Sequence, residues 1–237
     1  MALPLETYLN GISAICVLIT GFYFGFRFIL HYNKLKKSLL PLIAGMGFGL
    51  GIFYLGPSTA FFYLLFTGTN ISSFLYGLLS YFTMPLTLGL AMYLGFDIFK
   101  PNWKKGVMIF FSIFTVIWWV SFILFPEYLF HSPETPGAGE LIDISFKLPI
   151  GLPMIGLAIL SALFILGGGF LSIARKIEEK EKRKKSLFIA IGWVLFAIAG
   201  ILDTFPVSLL LVIARSIMLI GYILIFLGFS PVSKKED

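Results

Sequence analysis

One arginine interrupts an otherwise apolar run near the end of the chain: Arg215, within Val207–Phe229. A guanidinium is always charged and carries five N–H donors, so inside hydrocarbon it needs a partner. Arg215 lies about nine residues into its run, hence roughly 13 Å deep if the run is a helix. The nearest acid in sequence is Asp203, near the end of the preceding run, and the turn Thr204-Phe-Pro-Val207 keeps the two runs adjacent. Asp143 or a carbonyl at a helix kink are alternative partners. Such a pair is either a clamp tying helix ends together or part of a site for a small ligand or anion. Tyr54, Tyr81, Thr83 and Tyr222 are the polar side chains placed to line that site with Arg215 and Asp203. Ser58, Thr87, Thr115 and Ser161 fall at comparable depth, although Ser and Thr commonly bond their own helix.

No catalytic constellation accompanies them. The chain holds no Gly-x-Ser-x-Gly elbow, no His-Glu-x-x-His and no Gly-x-x-x-x-Gly-Lys-Ser loop. His131 and Glu134 would supply two metal ligands, too few for a closed zinc site. No enzyme activity, cofactor or metal is therefore expected. Asp97 near Lys100 reads as a surface ion pair, and Asn70-Ile-Ser72 fits a glycosylation sequon.

The elements that must position these residues are seven apolar stretches, at about 9–30, 39–66, 71–96, 107–125, 149–173, 187–205 and 207–229. Runs of roughly 20 apolar residues suffice to cross a bilayer. They lack the period-two alternation of barrel strands, so they read as helices, whose backbones satisfy themselves in lipid. The expected fold is an all-α integral membrane protein, a bundle of seven transmembrane helices forming one domain over 1–237. Composition agrees, at 58% hydrophobic and 13% charged. The connections alternate in charge: fifteen of the 18 Lys and Arg follow runs one, three, five and seven, Arg27 lies at the end of run one, and the opposite connections hold only Lys147. Basic loops stay in the cytoplasm, which predicts an outside amino terminus and a cytoplasmic carboxyl terminus in a multi-pass protein of the cell membrane. Topology also accounts for the net charge of +6, so nucleic acid is not an expected partner. The first residues carry Glu6 and no Lys or Arg, unlike a cleavable signal peptide. The short tail Ser230–Asp237 offers no soluble output domain, and Cys16 reads as a small core residue.

Packing signals lie in the glycines and prolines. Gly45, Gly47, Gly49 and Gly51 make two small-xxx-small pairs in run two, suited to close helix approach. Gly56-Pro57 predicts a break in run two and Pro85 a kink in run three. Gly167-Gly-Gly169 serves close packing or weakens run five locally. The stretch Arg175–Lys185, with Glu and Lys three and four apart, reads as a solvated topology anchor, with a helical extension of run five as the alternative. Lys34-Leu-Lys-Lys-Ser-Leu39 matches Lys182-Arg-Lys-Lys-Ser-Leu187, and Tyr93-Leu-Gly-Phe96 matches Phe226-Leu-Gly-Phe229. Runs one to three would then repeat as five to seven, a parallel repeat of the kind small transporters use.

Three resemblances follow from these residues. Tyr81-Phe-Thr-Met-Pro-Leu-Thr-Leu88 resembles the retinal-contacting Thr-x-Pro-Leu stretch of microbial rhodopsins, which share the seven-helix topology. That family binds retinal through a Lys in helix seven; run seven here has none, which excludes that covalent attachment. The three-plus-one-plus-three layout resembles SWEET-type sugar transporters, without their Pro-Gln turn, since the chain contains no Gln. The stretch Lys184-Lys-Ser-Leu-Phe…Gly200-Ile-Leu-Asp203…Ala214-Arg215…Gly221-Tyr-Ile-Leu…Leu227-Gly-Phe229 is similar to the final two helices of prokaryotic seven-helix sensor regions that precede histidine kinases. That resemblance implies a non-enzymatic sensor or receptor-like protein. It would bind a small molecule or anion from the outer side and signal through a separate cytoplasmic protein at the inner basic loops. The alternatives are a small-solute transporter and a structural subunit of a membrane complex. Lipid is the expected surrounding, and a homo-oligomer stays open.

Overall fold

A polypeptide of this composition must satisfy its own backbone and leave its apolar side chains facing outward as well as inward. The computed structural model, which describes residues 3–131, 139–148, 150–205 and 208–230, does both. It contains seven helical spans long and apolar enough to cross a membrane. Span one is a single helix, α1 (Leu5–Leu35). Span two is α2 (Leu39–Ile52) and α3 (Leu55–Thr67). Span three is α4 (Ser73–Tyr81) and α5 (Met84–Phe99). A 3-10 turn at Pro101–Trp103 leads into α6 (Lys104–Leu124), span four. The short α7 (Pro126–Leu129) opens a long connection. Span five is α8 (Gly151–Leu160), a π-helical stretch at Ser161–Gly167, and α9 (Gly168–Lys176). Spans six and seven are α10 (Lys180–Leu202) and α11 (Ser208–Phe229), both unbroken.

The spans close a ring. Span one packs on two and seven, two on three, three on five, five on six, and six on seven; span four packs outside, on span three. That outlying helix shows the surrounding medium most clearly. Ile109, Phe110, Ile113, Val116, Ile117, Val120 and Ile123 of α6 are all exposed. A soluble monomer rarely leaves so continuous an apolar face uncovered, whereas lipid covers it at no cost. The chain is a multi-pass membrane protein. Cys16 belongs to such a face: it is exposed, not a core residue as its size suggested.

Glycines set the closest approaches. A Cβ on Gly21 of α1 would lie 2.5 Å from the Gly51 Cα, and one on Gly192 of α10 would lie 2.7 Å from the Gly221 carbonyl oxygen. Of the two glycine pairs expected in run two, Gly47 and Gly51 meet span one, while Gly49 faces Thr87 and Gly45 faces Leu90.

Both proline breaks are present, one turn before each proline, where the ring would strike the carbonyl of the preceding turn. In span two the helix stops at Ile52 and restarts at Leu55, with Tyr54 at the junction. In span three it stops at Tyr81 and restarts at Met84. Breaks free carbonyls, and here protein donors take them. Tyr222 Oη donates to the Leu50 carbonyl at 2.9 Å. Trp118 Nε1 donates to the Tyr81 carbonyl at 3.0 Å, and Trp119 Nε1 to that of Phe82 at 2.9 Å. Trp118→Phe would keep the ring in its fully buried slot and leave the Tyr81 carbonyl unpaired. We expect a loss of about 1–3 kcal/mol in stability, read by denaturant unfolding in a fixed detergent.

Two details at the basic end are set by the fold. The stretch Arg175–Lys185 does not extend span five: α9 ends at Lys176, Ile177 turns extended, and Lys180–Lys185 form the first turns of α10. Lys182 pairs with Glu179 at 2.7 Å across that helix start. Glu/Lys spacing is the same whichever helix the run belongs to, and the three-residue turn at 177–179 decides. The expected surface ion pair at Asp97 is present, with Lys104 as its partner at 2.5 Å. Pro101 starts the 3-10 turn there and directs Lys100 over the Trp103 ring, 4.9 Å from its centroid.

Candidate functional site

Arg215 is 2% exposed. Its Nη1 donates to the Asn10 carbonyl at 2.8 Å and also to Asn10 Oδ1. Its Nε faces Asp203 Oδ1 at 3.7 Å, an ion-pair distance too long for a hydrogen bond. Neither Nε nor Oδ1 has a hydrogen-bond partner among the described residues. The guanidinium carbon sits 5.6 Å from the Tyr54 ring centroid. One side chain of span seven thus joins spans one, two and six.

Tyr54 stands in this cluster because of the break before Pro57. Its hydroxyl donates to Asp203 Oδ2 at 3.3 Å and lies 3.0 Å from Met218 Sδ. Beside Tyr54 and Asp203 opens a cleft of about 80 Å³, enough for several waters or a small ligand group. Its walls are largely rings and apolar chains, among them Tyr81, Met84, Trp193 and Phe196, with Asp203, Thr87 and Thr204 the polar side chains on it besides the tyrosine hydroxyls. Tyr81, Met84, Thr87 and Leu88 belong to the stretch that resembles the rhodopsin retinal contact.

Of the six residues singled out from sequence, Arg215, Asp203 and Tyr54 form one cluster, and Tyr81 joins them across the cleft. Thr83 and Tyr222 do not. Thr83 Oγ1 is buried with no hydrogen-bond partner among the described residues. Tyr222 is spent on the Leu50 carbonyl, with its ring 5.8 Å from Phe196. Arg215 itself lies behind Tyr54 and Asp203, off the cleft wall.

Asn10 is the residue that sequence reasoning missed. The signal available was Thr7 and Asn10, one helical turn apart at the start of an apolar run, both buried in the structure. Thr7 Oγ1 donates to the Gly139 carbonyl at 2.8 Å, bringing the long connection onto the same end of the bundle.

That connection forms the end wall of the site. Phe130 and Phe146 pair as an isolated antiparallel bridge, with His131 N–H to the Ser145 carbonyl at 3.0 Å and Lys147 N–H to that of Leu129 at 2.8 Å. Ile142, Ile144 and Phe146 are buried, and Phe146 reaches the cleft and packs on Tyr81 with centroids 4.8 Å apart. Asn70 fastens the strap: Nδ2 donates to the Glu140 carbonyl at 2.9 Å, and Oδ1 accepts from the Ile142 N–H at 2.9 Å. Glu134 lies outside the described residues, and among those described no three of His, Cys, Asp or Glu come together.

Asp143 is the half-buried acid of the strap. Tyr76 Oη donates to its Oδ1 at 2.9 Å, and so does the Ile144 N–H at 2.9 Å. Burial pushes its carboxyl up to about 6, against the downward pull of Arg215 and these two donors; Asp203 adds to the rise. A carboxyl whose folded pKa is raised binds protons in the folded state that the unfolded state has lost. Its contribution therefore favours the closed strap below about pH 4 and fades as pH rises through about 6. Amide exchange over 139–146, corrected for intrinsic rates, should show weaker protection at pH 7 than at pH 5, and Asp143→Asn should remove the difference.

No family model, curated protein or solved structure was found to match the chain, so the argument for function rests on this geometry alone.

Proposed function

We propose that the chain is a non-enzymatic sensor or receptor-like protein of the cell membrane, with its amino terminus outside and its carboxyl terminus in the cytoplasm. The capped end, with the strap and Asp143, faces outward, and the connections that carry the Lys and Arg residues face inward. A small ligand occupies the cleft between Tyr54, Tyr81, Trp193 and Asp203. The observation that carries this reading is the cleft itself: a ring-lined space meeting a half-buried, incompletely paired carboxylate. Ligand sites have this composition, apolar walls with a few placed polar groups.

Signalling follows from where the cleft sits. Asp203 ends span six, and Arg215 links it to Asn10 of span one and to span seven. A ligand that moves Asp203 changes three helices at once. One of them, α10, follows the turn at 177–179, which basic residues flank on both sides and where a cytoplasmic protein partner would read the shift. The transporter alternative draws less support. Its two halves would carry matching interruptions, yet spans two, three and five are interrupted while six and seven run unbroken.

The test is to reconstitute the full chain in liposomes and screen a small-molecule panel for thermal stabilisation and for flux. Stabilisation without flux, lost in Gly200→Phe, is the expected result. Gly200 lines the cleft, and a phenyl ring there would fill it. Uptake of the stabilising compound, with the cleft alternately open to each side, would establish a transporter instead.

A further inference from the structure

We propose that the cleft takes a lipophilic monovalent cation, an amine protonated on nitrogen, whose charge pairs with Asp203 and whose apolar body lies against the surrounding rings. This rests on the reading of the cleft as a ligand site and names the chemistry of the ligand.

Four observations lead there. First, among the described residues Asp203 is the one charged side chain on the cleft wall, and no Lys, Arg or His among them lines it. Second, that carboxylate is under-served. Tyr54 donates to Oδ2 at the long distance of 3.3 Å, Arg215 Nε stands 3.7 Å from Oδ1, and no hydrogen bond reaches Oδ1 among the described residues. Third, the guanidinium that would neutralise it is shared. Arg215 directs Nη1 at Asn10, and its field also acts on Asp143. With both acids ionised, two carboxylates lie in the field of one guanidinium, which pairs directly with Asp203, and a single added positive charge balances the set. Fourth, Tyr54, Tyr81, Trp193 and Phe196 present rings around the space. Aromatic faces attract cations and repel anions, most strongly where water is excluded. An anion would meet those faces and Asp203 while Arg215 stayed behind them, so the anion reading of Arg215 gives way.

Three probes of one shape separate the possibilities: benzylamine, protonated at neutral pH; benzyl alcohol, neutral; and benzoate, negative. Each is titrated by calorimetry into the full chain in detergent micelles. The Gly200→Phe variant serves as the blank for partition into the micelle. The expected result is benzylamine bound about tenfold or more tightly than benzyl alcohol, with no benzoate binding. In Asp203→Asn, which keeps the shape and the Tyr54 contact, benzylamine should fall to the benzyl alcohol level, and Asp203→Glu should restore part of the preference. Equal binding of amine and alcohol to the wild type, both lost in Gly200→Phe, would overturn the cation assignment and leave the cleft as a ligand site. No binding of any probe above the Gly200→Phe blank would overturn both. Should Asp203→Asn fail to fold, the charge series on the wild type still decides.

Discussion

Replacing Arg215 with Ala should destabilise the protein by about 3–5 kcal/mol, the cost typical of breaking a buried pair from one side. The substitution leaves the Asp203 carboxylate without its cation and the Asn10 amide and carbonyl without their donor. Arg215→Lys should lie in between, because a single ammonium cannot serve Asn10 and Asp203 with the geometry of a planar fork. The double change Arg215→Met with Asp203→Leu should recover much of the loss, since removing both charges together spares the orphaned one. Unfolding in a fixed detergent mixture, followed by tryptophan fluorescence, gives all three changes relative to wild type. If Arg215→Ala cost under about 1 kcal/mol, the guanidinium would behave like a solvated surface charge, and its link between spans one, six and seven would be illusory.

The second large effect belongs to a residue with no side chain. A Cβ on Gly192 would fall 2.6 Å from Ile225 Cγ1 and 2.7 Å from the Gly221 carbonyl oxygen. Backbone cannot swing aside as a flexible side chain can, so spans six and seven must separate. Gly192→Ala should cost about 1–3 kcal/mol, and Gly192→Leu should exceed that range. Gly168 is the control. Nothing lies within 4 Å of its Cβ position, so Gly168→Ala should be neutral or mildly stabilising through its better helix propensity. Because span six carries Asp203, the Gly192 variants should also weaken any ligand held in the cleft.

The parts legible in the sequence were those written in local chemistry. Apolar runs long enough for a bilayer mark the spans, and Pro57 and Pro85 mark the breaks, because each signal needs only neighbouring residues. Arg215 stood out because a charge amid hydrocarbon is conspicuous, and Asp203 followed from the short turn between their helices. What the breaks required was not legible. That Tyr222, Trp118 and Trp119 would cap the freed carbonyls depends on which spans become neighbours. Asn10 was hidden for a related reason, since an amide near the start of a span reads as an interfacial residue until the fold sets it against span seven. The segment 139–148 has the composition of a loop, and nothing local says that Ile142, Ile144 and Phe146 turn inward to close the end of the bundle.

Which way the bundle faces decides where a ligand arrives and where a partner listens. With Cys16 changed to Ser, single cysteines at Thr69 and Lys182 can be labelled with a membrane-impermeant maleimide in intact cells. Thr69→Cys should react at once, and Lys182→Cys only after the membrane is opened. Equal labelling of both positions in sealed cells, or the reverse order, would contradict the account.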